Sequence, residues 1–235
     1  MNTLSRLFPS PEFPSVTVRG ESRAFPVHRI FCVGRNYAEH AKEMGFAVDR
    51  EAPFYFLKSA LAAVPSGATL PYPPGTSNYH YEMELVVAIG TPAFQVAPEH
   101  AMQAVYGYAA GLDMTRRDLQ IAAREKGRPW DLGKDFEQSA VIAEITRAID
   151  FGVVGPQRMK LSVAGSVRQD AHLSDLIWSV PEIISHLSGY YHLAPGDLIF
   201  TGTPAGVGPV VPRDMLHGEI DGLAPVNLTV GEAKS

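Results

Sequence analysis

Glycine and proline divide this chain into short apolar runs, and this division limits the folds that it can form. The two residue types occupy 40 of the 235 positions, and clusters of them mark turns and loops. Short apolar runs between turn residues indicate strands, and here they outnumber the segments with helical periodicity. Because the strands and helices do not alternate as regular βαβ units, the sequence predicts a β-rich α+β fold.

The predicted elements follow the apolar runs. A loop is expected over 65–79, and residues 1–27 are expected to form an arm over the body or over a neighbouring subunit, followed by one domain over 28–235. Helices are predicted at 36–44 with Gly45 as C-cap, at 98–105, at 115–126 with Thr115 as N-cap, and at 180–187. Strands are predicted at 30–33, 54–57, 82–89, 106–112, 140–145, 160–163, 198–200 and 226–230.

Charge and composition exclude several classes of partner. The chain has 20 Lys and Arg against 25 Asp and Glu, with no basic stripe, so nucleic acid is not an expected ligand. No segment approaches the roughly 18 apolar residues of a membrane span, and the first residues lack a signal-peptide pattern. We therefore expect a cytoplasmic protein with no membrane partner. Cys32 is the only cysteine, which excludes an intrachain disulfide.

Three acidic residues suggest a cation site. Glu82 and Glu84 are two positions apart, so on a strand both carboxylates project from the same face. Asp113 ends the next strand candidate, and the three carboxylates converge if those two strands are neighbours. Oxygen ligands of this kind suit Mg²⁺ or Mn²⁺ better than zinc. The alternative is a solvated strand face with no ligand.

Other titratable residues carry weaker signals. His40 and Glu43 share one face of the predicted helix, and a carboxylate against an imidazole makes a general base. The alternative is an exposed, solvated helix. Lys58 follows the apolar run 54–57, and Lys134 follows Gly133 in the segment 130–136. Each lysine can point into a cleft or lie along the surface. The glycine-rich run 202–208 lacks the residues of a nucleotide-binding loop, although its N–H groups could approach an anionic substrate.

Six short motifs occur together in the order typical of the fumarylacetoacetate hydrolase family, which the chain resembles from about residue 25 to its C-terminus. The motifs are CVGRNYAEH at 32–40, FLK at 56–58, YEMEL at 81–85, GLDMTRRD at 111–118, GKDF at 133–136 and TGTPAGVG at 201–208. Each motif alone is weak, whereas six in order are specific. Within the family the chain is most similar to the short acylpyruvate and fumarylpyruvate hydrolases.

This resemblance implies a mixed β-sandwich roll of the type found in the family's C-terminal domain, a homodimer and a Mg²⁺ or Mn²⁺ ion. The implied metal ligands are Glu82, Glu84 and Asp113. The implied catalytic residues are His40 and Glu43, which would activate water on a lid segment, and Lys134 and Gln120, which would stabilise negative charge. The implied contacts to the acid groups of the substrate are Arg35, Lys58, Arg117 and Thr203.

The resemblance also implies the reaction. The family's substrates are 1,3-diketo acids, and hydrolysis of their C–C bond needs an activated water and a stabilised enolate. The expected reaction is hydrolysis of 3-fumarylpyruvate to fumarate and pyruvate, a step of gentisate-type aromatic catabolism. Alternatives are acetylpyruvate hydrolysis, oxaloacetate decarboxylation, isomerisation of a 2-hydroxydienedioate, or a non-catalytic ligand-binding module. Asp135 departs from the family pattern, where a small residue is common, and would add a carboxylate near the pocket.

Overall fold

The computed structural model describes residues 7–9, 12–43, 50 and 52–233. Its α-helices are α1 (Ala38–Glu43), α2 (Pro98–Ala101), α3 (Arg117–Glu125), α4 (Asp131–Lys134), α5 (Ala148–Phe151) and α6 (Val180–Ser188). Short 3₁₀ segments lie at Ala60–Ala62, Met102–Ala104 and Leu173–Asp175. Of the described helices, none is long and apolar enough to cross a membrane.

Strands dominate the fold and form four sheets. In chain order they are β1 (Ser15–Val16), β2 (Phe25–Pro26), β3 (Arg29–Gly34), β4 (Phe54–Lys58), β5 (Ala63–Pro65), β6 (Ala68–Pro71), β7 (Tyr79–Tyr81), β8 (Met83–Ile89), β9 (Val105–Asp113), β10 (Thr115–Arg116), β11 (Ala140–Ile142), β12 (Thr146–Arg147), β13 (Arg158–Val163), β14 (Ser166–His172), β15 (Asp197–Phe200), β16 (Gly208–Pro209), β17 (Met215–Ile220) and β18 (Val226–Gly231).

A mixed eight-stranded sheet forms the centre of the molecule, in the order β4-β3-β15-β8-β9-β11-β5, with β12 added to β9. A five-stranded sheet has the order β14-β13-β17-β18-β6, and β10-β7-β16 and β1-β2 form two small sheets. Pairs β3-β15 and β11-β5 are parallel, whereas β8 is antiparallel to both of its neighbours. The predicted β-rich α+β class is therefore confirmed.

The two faces of the central sheet bury different apolar clusters, because successive residues of a strand point to opposite sides. On the first face, Leu85 and Val87 pack with residues of the five-stranded sheet and of α6. On the second face, Val86 and Ala88 pack with Ile30, Leu198 and Phe200, and with four residues of the N-terminal segment, namely Val16, Val18, Phe25 and Val27. These four residues thus cover part of the second face.

Several element boundaries differ from the sequence predictions. Helix 98–105 ends early, because 3₁₀ residues follow Ala101 and Val105 already begins β9. The predicted loop over 65–79 contains β6, which pairs with β18 in parallel. The described part of helix 36–44 is Ala38–Glu43, and Gly45 lies outside the described residues.

The N-cap prediction for Thr115 is wrong. Thr115 lies in β10 and pairs with His80, and α3 begins at Arg117. Its hydroxyl donates to the Asp113 carbonyl oxygen at 3.2 Å and accepts a hydrogen bond from Lys134 Nζ at 2.8 Å. Because the hydroxyl is already bonded to these two groups, Thr115 supports the charged residues described next instead of capping the helix.

Candidate active site

Three buried carboxylates meet where β8 begins and β9 ends. These strands pair with Glu84 opposite Gly111, and the Asp113 N–H donates to the Glu82 carbonyl oxygen at 2.8 Å. One ligand oxygen from each of Glu82, Glu84 and Asp113 lies within 4.8 Å of the other two. The two strands are therefore neighbours, and the three carboxylates converge as predicted. The alternative of a solvated strand face is wrong, because all three residues are buried.

Lys134 is the cation between two of these carboxylates. Its Nζ donates to Glu82 Oε2 at 2.8 Å and to Asp113 Oδ2 at 2.7 Å. Lys134 ends α4, and Gly133 lets α4 approach α3 closely, since a Cβ at Gly133 would lie 2.8 Å from the Gln120 backbone nitrogen. Only glycine fits this contact, which positions the buried ammonium group.

The electrostatics of the three carboxylates indicate that a further cation fits among them. Burial and the neighbouring Asp113 and Glu82 raise the pKa of Glu84 well above its ordinary value. Burial also acts to raise the pKa of Glu82, but Lys134 and Arg117 outweigh it and hold that pKa well below the ordinary value. The repulsion among the three carboxylates is therefore least compensated at Glu84.

Two oxygens of the cluster are correspondingly short of donors. Among the described residues, the hydrogen bond given to the Glu84 carboxylate comes from the Gly202 N–H, at 2.6 Å to Oε2. Asp113 Oδ1 is buried and accepts no well-aligned hydrogen bond within the described part of the chain, although the Lys58 ammonium nitrogen lies 2.8 Å from it. An all-oxygen set with such atoms fits Mg²⁺ or Mn²⁺, and Glu82, Glu84 and Asp113 could hold the ion.

Lys58 does not lie where the sequence placed it. It was expected to contact acid groups of the substrate, yet it is buried behind Asp113 and does not line the cleft. Its Nζ lies 2.8 Å from Asp113 Oδ1, but its hydrogen bonds go to the Met114 and Lys134 carbonyl oxygens and to Ser139 Oγ. Because β4 pairs with β3 at the sheet edge, this lysine points into the protein and compensates a carboxylate.

His40 and Glu43 form a pair beside the carboxylates. His40 is buried and its Nδ1 lies 3.3 Å from Glu43 Oε2, while the Gly206 N–H donates to the same oxygen at 3.1 Å. Burial is the main reason that the pKa of His40 lies below its ordinary value, although Glu82 and Glu43 act in the opposite direction. The imidazole is therefore neutral near pH 7 and can accept a proton.

The glycine-rich run 201–208 holds the site's own carboxylates. Gly202 donates to Glu84 and Gly206 donates to Glu43, so these N–H groups bind protein anions and not the substrate anion that the sequence suggested. Gly202 has φ +98, and a Cβ there would lie 2.8 Å from Asn36 Cβ. A glycine is needed at this turn for both reasons.

A partly enclosed cleft opens above the carboxylates. Eight residues proposed from the sequence line it, namely Arg35, His40, Glu82, Glu84, Arg117, Gln120, Lys134 and Thr203. Arg117 donates to Glu82 Oε1 and to Gln120 Oε1, each at 2.5 Å. Asp113 lies beneath the cleft, whereas Asp135 is exposed and accepts from the Ser59 N–H at 2.7 Å, away from the lining.

Sequence reasoning missed several residues of the site. Phe56, Ile121, Arg124 and Trp130 line the cleft. Gln169 is fully buried and donates to Thr203 Oγ1 at 2.8 Å, and its amide oxygen accepts from the Met83 N–H at 3.0 Å. A helical spacing signal was available only for α3, where Arg117, Gln120 and Arg124 are three and four positions apart and share a face.

The cleft thus combines a cation site made of oxygen ligands, a neutral imidazole that can take a proton, the amide group of Gln120 and the positive charge of Lys134. These are the groups that hydrolysis at a carbonyl with stabilisation of negative charge requires. Lys134 is held by carboxylates and Thr115 in this arrangement.

Comparisons with known proteins agree with this geometry. The chain is 56% identical over 193 residues to a fumarylpyruvate hydrolase of Ralstonia sp, a match that covers 81% of this chain and all of the relative. It is 42% identical over 203 residues to the mitochondrial oxaloacetate tautomerase of Homo sapiens, covering 86% of this chain and 90% of that protein.

A crystal structure of fumarylpyruvate hydrolase from Pseudomonas aeruginosa in complex with Mn²⁺ and pyruvate has the same fold. Its TM-score is 0.94 at 49% sequence identity, over 97% of this chain and all of that chain. The sequence pattern of the fumarylacetoacetate hydrolase C-terminal family matches residues 29–231, which form three of the four described sheets and line the cleft. The chain therefore belongs to the fumarylacetoacetate hydrolase family.

Proposed function

We propose that this protein hydrolyses the C–C bond of a 1,3-diketo acid, with 3-fumarylpyruvate and water as substrates and fumarate and pyruvate as products. The observation that carries the proposal is the juxtaposition in one cleft of a buried carboxylate triad and the His40–Glu43 pair. The similarity to fumarylpyruvate hydrolases over most of the chain supports the choice of acyl group.

The carboxylates of Glu82, Glu84 and Asp113 would hold a Mg²⁺ or Mn²⁺ ion. When bound, such an ion supplies Lewis-acid stabilisation of negative charge on the substrate's oxygens. The protein's part is to direct these three ligands and to compensate their negative charge. Lys134 and Arg117 do so for Glu82, Lys58 lies against Asp113, and the Gly202 N–H orients Glu84.

His40 would act as the general base. Its neutral imidazole would take a proton from the attacking water, while Glu43 orients the ring through Nδ1 and stabilises the imidazolium that forms. The Gly206 N–H fixes Glu43 in turn. Water attacks the carbonyl carbon of the fumaryl group, and the bond between this carbon and the CH₂ carbon of the pyruvyl group then breaks. The electron pair of that bond stays on the pyruvyl fragment, which becomes pyruvate when it takes up the proton held by His40.

Gln120 and Lys134 would stabilise the oxyanion formed by water attack. The Gln120 side-chain oxygen already accepts from Arg117, which leaves its NH₂ group as the donor that can face the cleft. Lys134 brings a positive charge to the same wall. One well-placed donor of this kind contributes about 3 kcal/mol to the barrier reduction in other oxyanion holes.

Arg117 and Thr203 are proposed to contact the acid group of the pyruvyl end. Both line the cleft near the triad, and Thr203 is held by Gln169. We also propose the homodimer, the cytoplasmic location and the role in gentisate-type catabolism implied by the family resemblance. The N-terminal arm over 1–27 and the domain over 28–235 stay predictions of the sequence.

Oxaloacetate tautomerisation is the second candidate, because several relatives at 38–42% identity are oxaloacetate tautomerases. Acetylpyruvate hydrolysis, oxaloacetate decarboxylation and dienedioate isomerisation would use the same cation site. Decarboxylation needs neither a hydrolytic water nor a base, so the buried His40–Glu43 pair disfavours it. Tautomerisation and isomerisation move a proton and could use the same pair, but the higher identity to a fumarylpyruvate hydrolase than to the tautomerases favours hydrolysis. A ligand-binding module would have no use for this base.

A substrate panel tests the proposal. Purified protein with saturating Mn²⁺ is mixed with fumarylpyruvate, acetylpyruvate or oxaloacetate, and loss of the diketo absorbance and release of pyruvate are followed together. We expect fumarylpyruvate to be cleaved fastest, with pyruvate and fumarate in equal amounts. Efficient tautomerisation of oxaloacetate with no pyruvate released from either acylpyruvate would contradict hydrolysis and support the second candidate.

A further inference from the structure

The outer end of the cleft carries positive charge that the proposed chemistry does not use. Arg35 and Arg124 both line the cleft, and both also line a second, wider cavity beside it. The rings of Phe56 and Trp130 likewise border both spaces. These four residues therefore mark the place where the inner cleft meets the outer cavity.

Two further cations, Arg117 and Lys134, lie at the inner end of the cleft. Arg117 donates to Glu82 and Gln120, and Lys134 donates to Glu82, Asp113 and Thr115. A substrate that spans the cleft would thus meet the triad and its cations with one end and the two outer arginines with the other. A carboxylate is the group that matches two neighbouring guanidinium groups.

The positions of both arginines follow from local structure. Arg124 is four residues after Gln120 and seven after Arg117 on α3, so one face of this helix turns all three side chains toward the cleft. Arg35 follows the last residue of β3 with φ +59, a left-handed conformation that favours glycine. An arginine at a strained position beside a cleft indicates a use for its side chain.

The two guanidinium groups also repel each other. Burial and then the charge of Arg124 lower the pKa of Arg35. The Arg35 guanidinium lies 5.6 Å from the centre of the Phe54 ring, which limits where it can move. An anion bound between the two arginines would remove this repulsion, and the apolar walls of Phe56 and Trp130 would contact the carbon chain that leads to it.

We propose that Arg124, together with Arg35, binds the distal carboxylate of a dicarboxylic diketo acid and so determines the specificity of the site. This inference rests on the proposed function and extends it from a reaction to a substrate class. The triad end takes the pyruvyl group, and the arginine end distinguishes a fumaryl group from an uncharged acyl group such as acetyl. Arg124 is thereby assigned a substrate-binding role that the sequence motifs did not indicate.

The test compares two substrates in one variant. We expect R124Q to lower kcat/KM for fumarylpyruvate about 30-fold, the effect of losing a charge-assisted hydrogen bond, and for acetylpyruvate less than about threefold. R124K should keep part of the fumarylpyruvate activity. The matched control is R128Q, because Arg128 is an exposed arginine on the wall of the outer cavity that does not line the inner cleft.

A second measurement uses the products as inhibitors. R124Q should weaken inhibition by fumarate about 30-fold and inhibition by pyruvate less than about threefold. Equal losses for both substrates, or no loss for fumarylpyruvate in a folded R124Q protein, would overturn the assignment of Arg124 while leaving the hydrolase proposal intact. Wild-type protein that cleaves neither diketo acid would instead refute the proposed function, and this inference with it.

Discussion

The second face of the central sheet has two ends that are buried equally and differ in chemistry. At one end Ile30, Ala88 and Leu198 pack beneath the N-terminal segment, each at most 1% exposed. At the other end Glu82, Glu84 and Asp113 are at most 6% exposed. Burial of an apolar side chain such as Leu198 stabilises the fold by about 1.5–3 kcal/mol, whereas a buried charge costs several kcal/mol unless it is compensated.

This difference shows that the buried acidic groups of the site lower the stability of the fold, whereas the apolar end raises it. The apolar end needs only shape and alternation, which strands supply. The acidic end needs Lys58, Arg117 and Lys134 as compensating cations, and even these leave the pKa of Glu84 well above its ordinary value. We therefore expect substitutions at the two ends to have opposite consequences for activity and for stability.

The largest effect is expected for E84Q. Loss of one carboxylate of the triad should lower metal-dependent turnover of fumarylpyruvate about 10⁴-fold. The free energy of unfolding of the metal-free protein should rise by about 1 kcal/mol, because the amide removes the repulsion and can still accept from the Gly202 N–H. Steady-state kinetics and denaturant unfolding in chelator measure the two changes.

The proposed difference between the two ends would be contradicted if metal-free E84Q were less stable than metal-free wild type and also inactive with Mn²⁺. That result would mean that Glu84 stabilises the empty site. E219Q is a suitable control, since Glu219 is an acidic residue of β17 on the surface with partners Lys160 and His217. It should leave turnover unchanged.

H40A should separate base catalysis from metal binding. We expect hydrolysis to fall about 10³-fold, because the variant lacks the imidazole that takes the proton of the attacking water. Mn²⁺ affinity, measured by calorimetry, should change less than about threefold, since His40 is not one of the three ligand residues. Turnover within tenfold of the wild type would show that another group is the base.

L198A tests the apolar end. Leu198 is fully buried in β15, and its truncation should lower the free energy of unfolding by about 3 kcal/mol. The kcat/KM of the molecules that stay folded should change less than about twofold, because Leu198 lies away from the cleft lining. A selective loss of Mn²⁺ affinity in L198A would show that the two ends are not independent.

The smallest expected effect is a pH dependence. A carboxyl whose pKa is raised by folding keeps its proton in the folded state, so stability falls as pH rises from the ordinary value of 4.5 towards the raised pKa. We expect metal-free wild-type protein to lose about 1 kcal/mol relative to E84Q over this range. Saturating Mn²⁺ should abolish this pH-dependent loss of stability in the wild type. If the free energies of unfolding of metal-free wild type and E84Q changed with pH in the same way, Glu84 would not be repelled by its neighbours.

Much of the site could be predicted from local sequence. The E-x-E spacing places Glu82 and Glu84 on one face of a strand, and the position of Asp113 at the end of the next strand completes the set. Helical spacing similarly pairs His40 with Glu43. Such relations depend only on the period of one element or on the pairing of consecutive strands.

The remaining features depend on topology that local sequence does not contain. Lys58 points behind Asp113 because β4 forms the sheet edge beside β3, and Gln169 reaches Thr203 from a hairpin of another sheet. Thr115 lies in a two-residue strand because His80 pairs with it, which overrides its tendency to cap a helix. Helical spacing places Arg124 on the face of α3 that carries Arg117 and Gln120, but only the fold shows that this face lines the cleft.

The most direct test is the Mn²⁺ dependence of fumarylpyruvate cleavage by the metal-free protein. The account predicts no measurable turnover in chelator, and recovery with added Mn²⁺ along a saturation curve, with one pyruvate and one fumarate formed for each diketo acid consumed. Full turnover in chelator, or Mn²⁺-dependent loss of substrate without pyruvate, would contradict it.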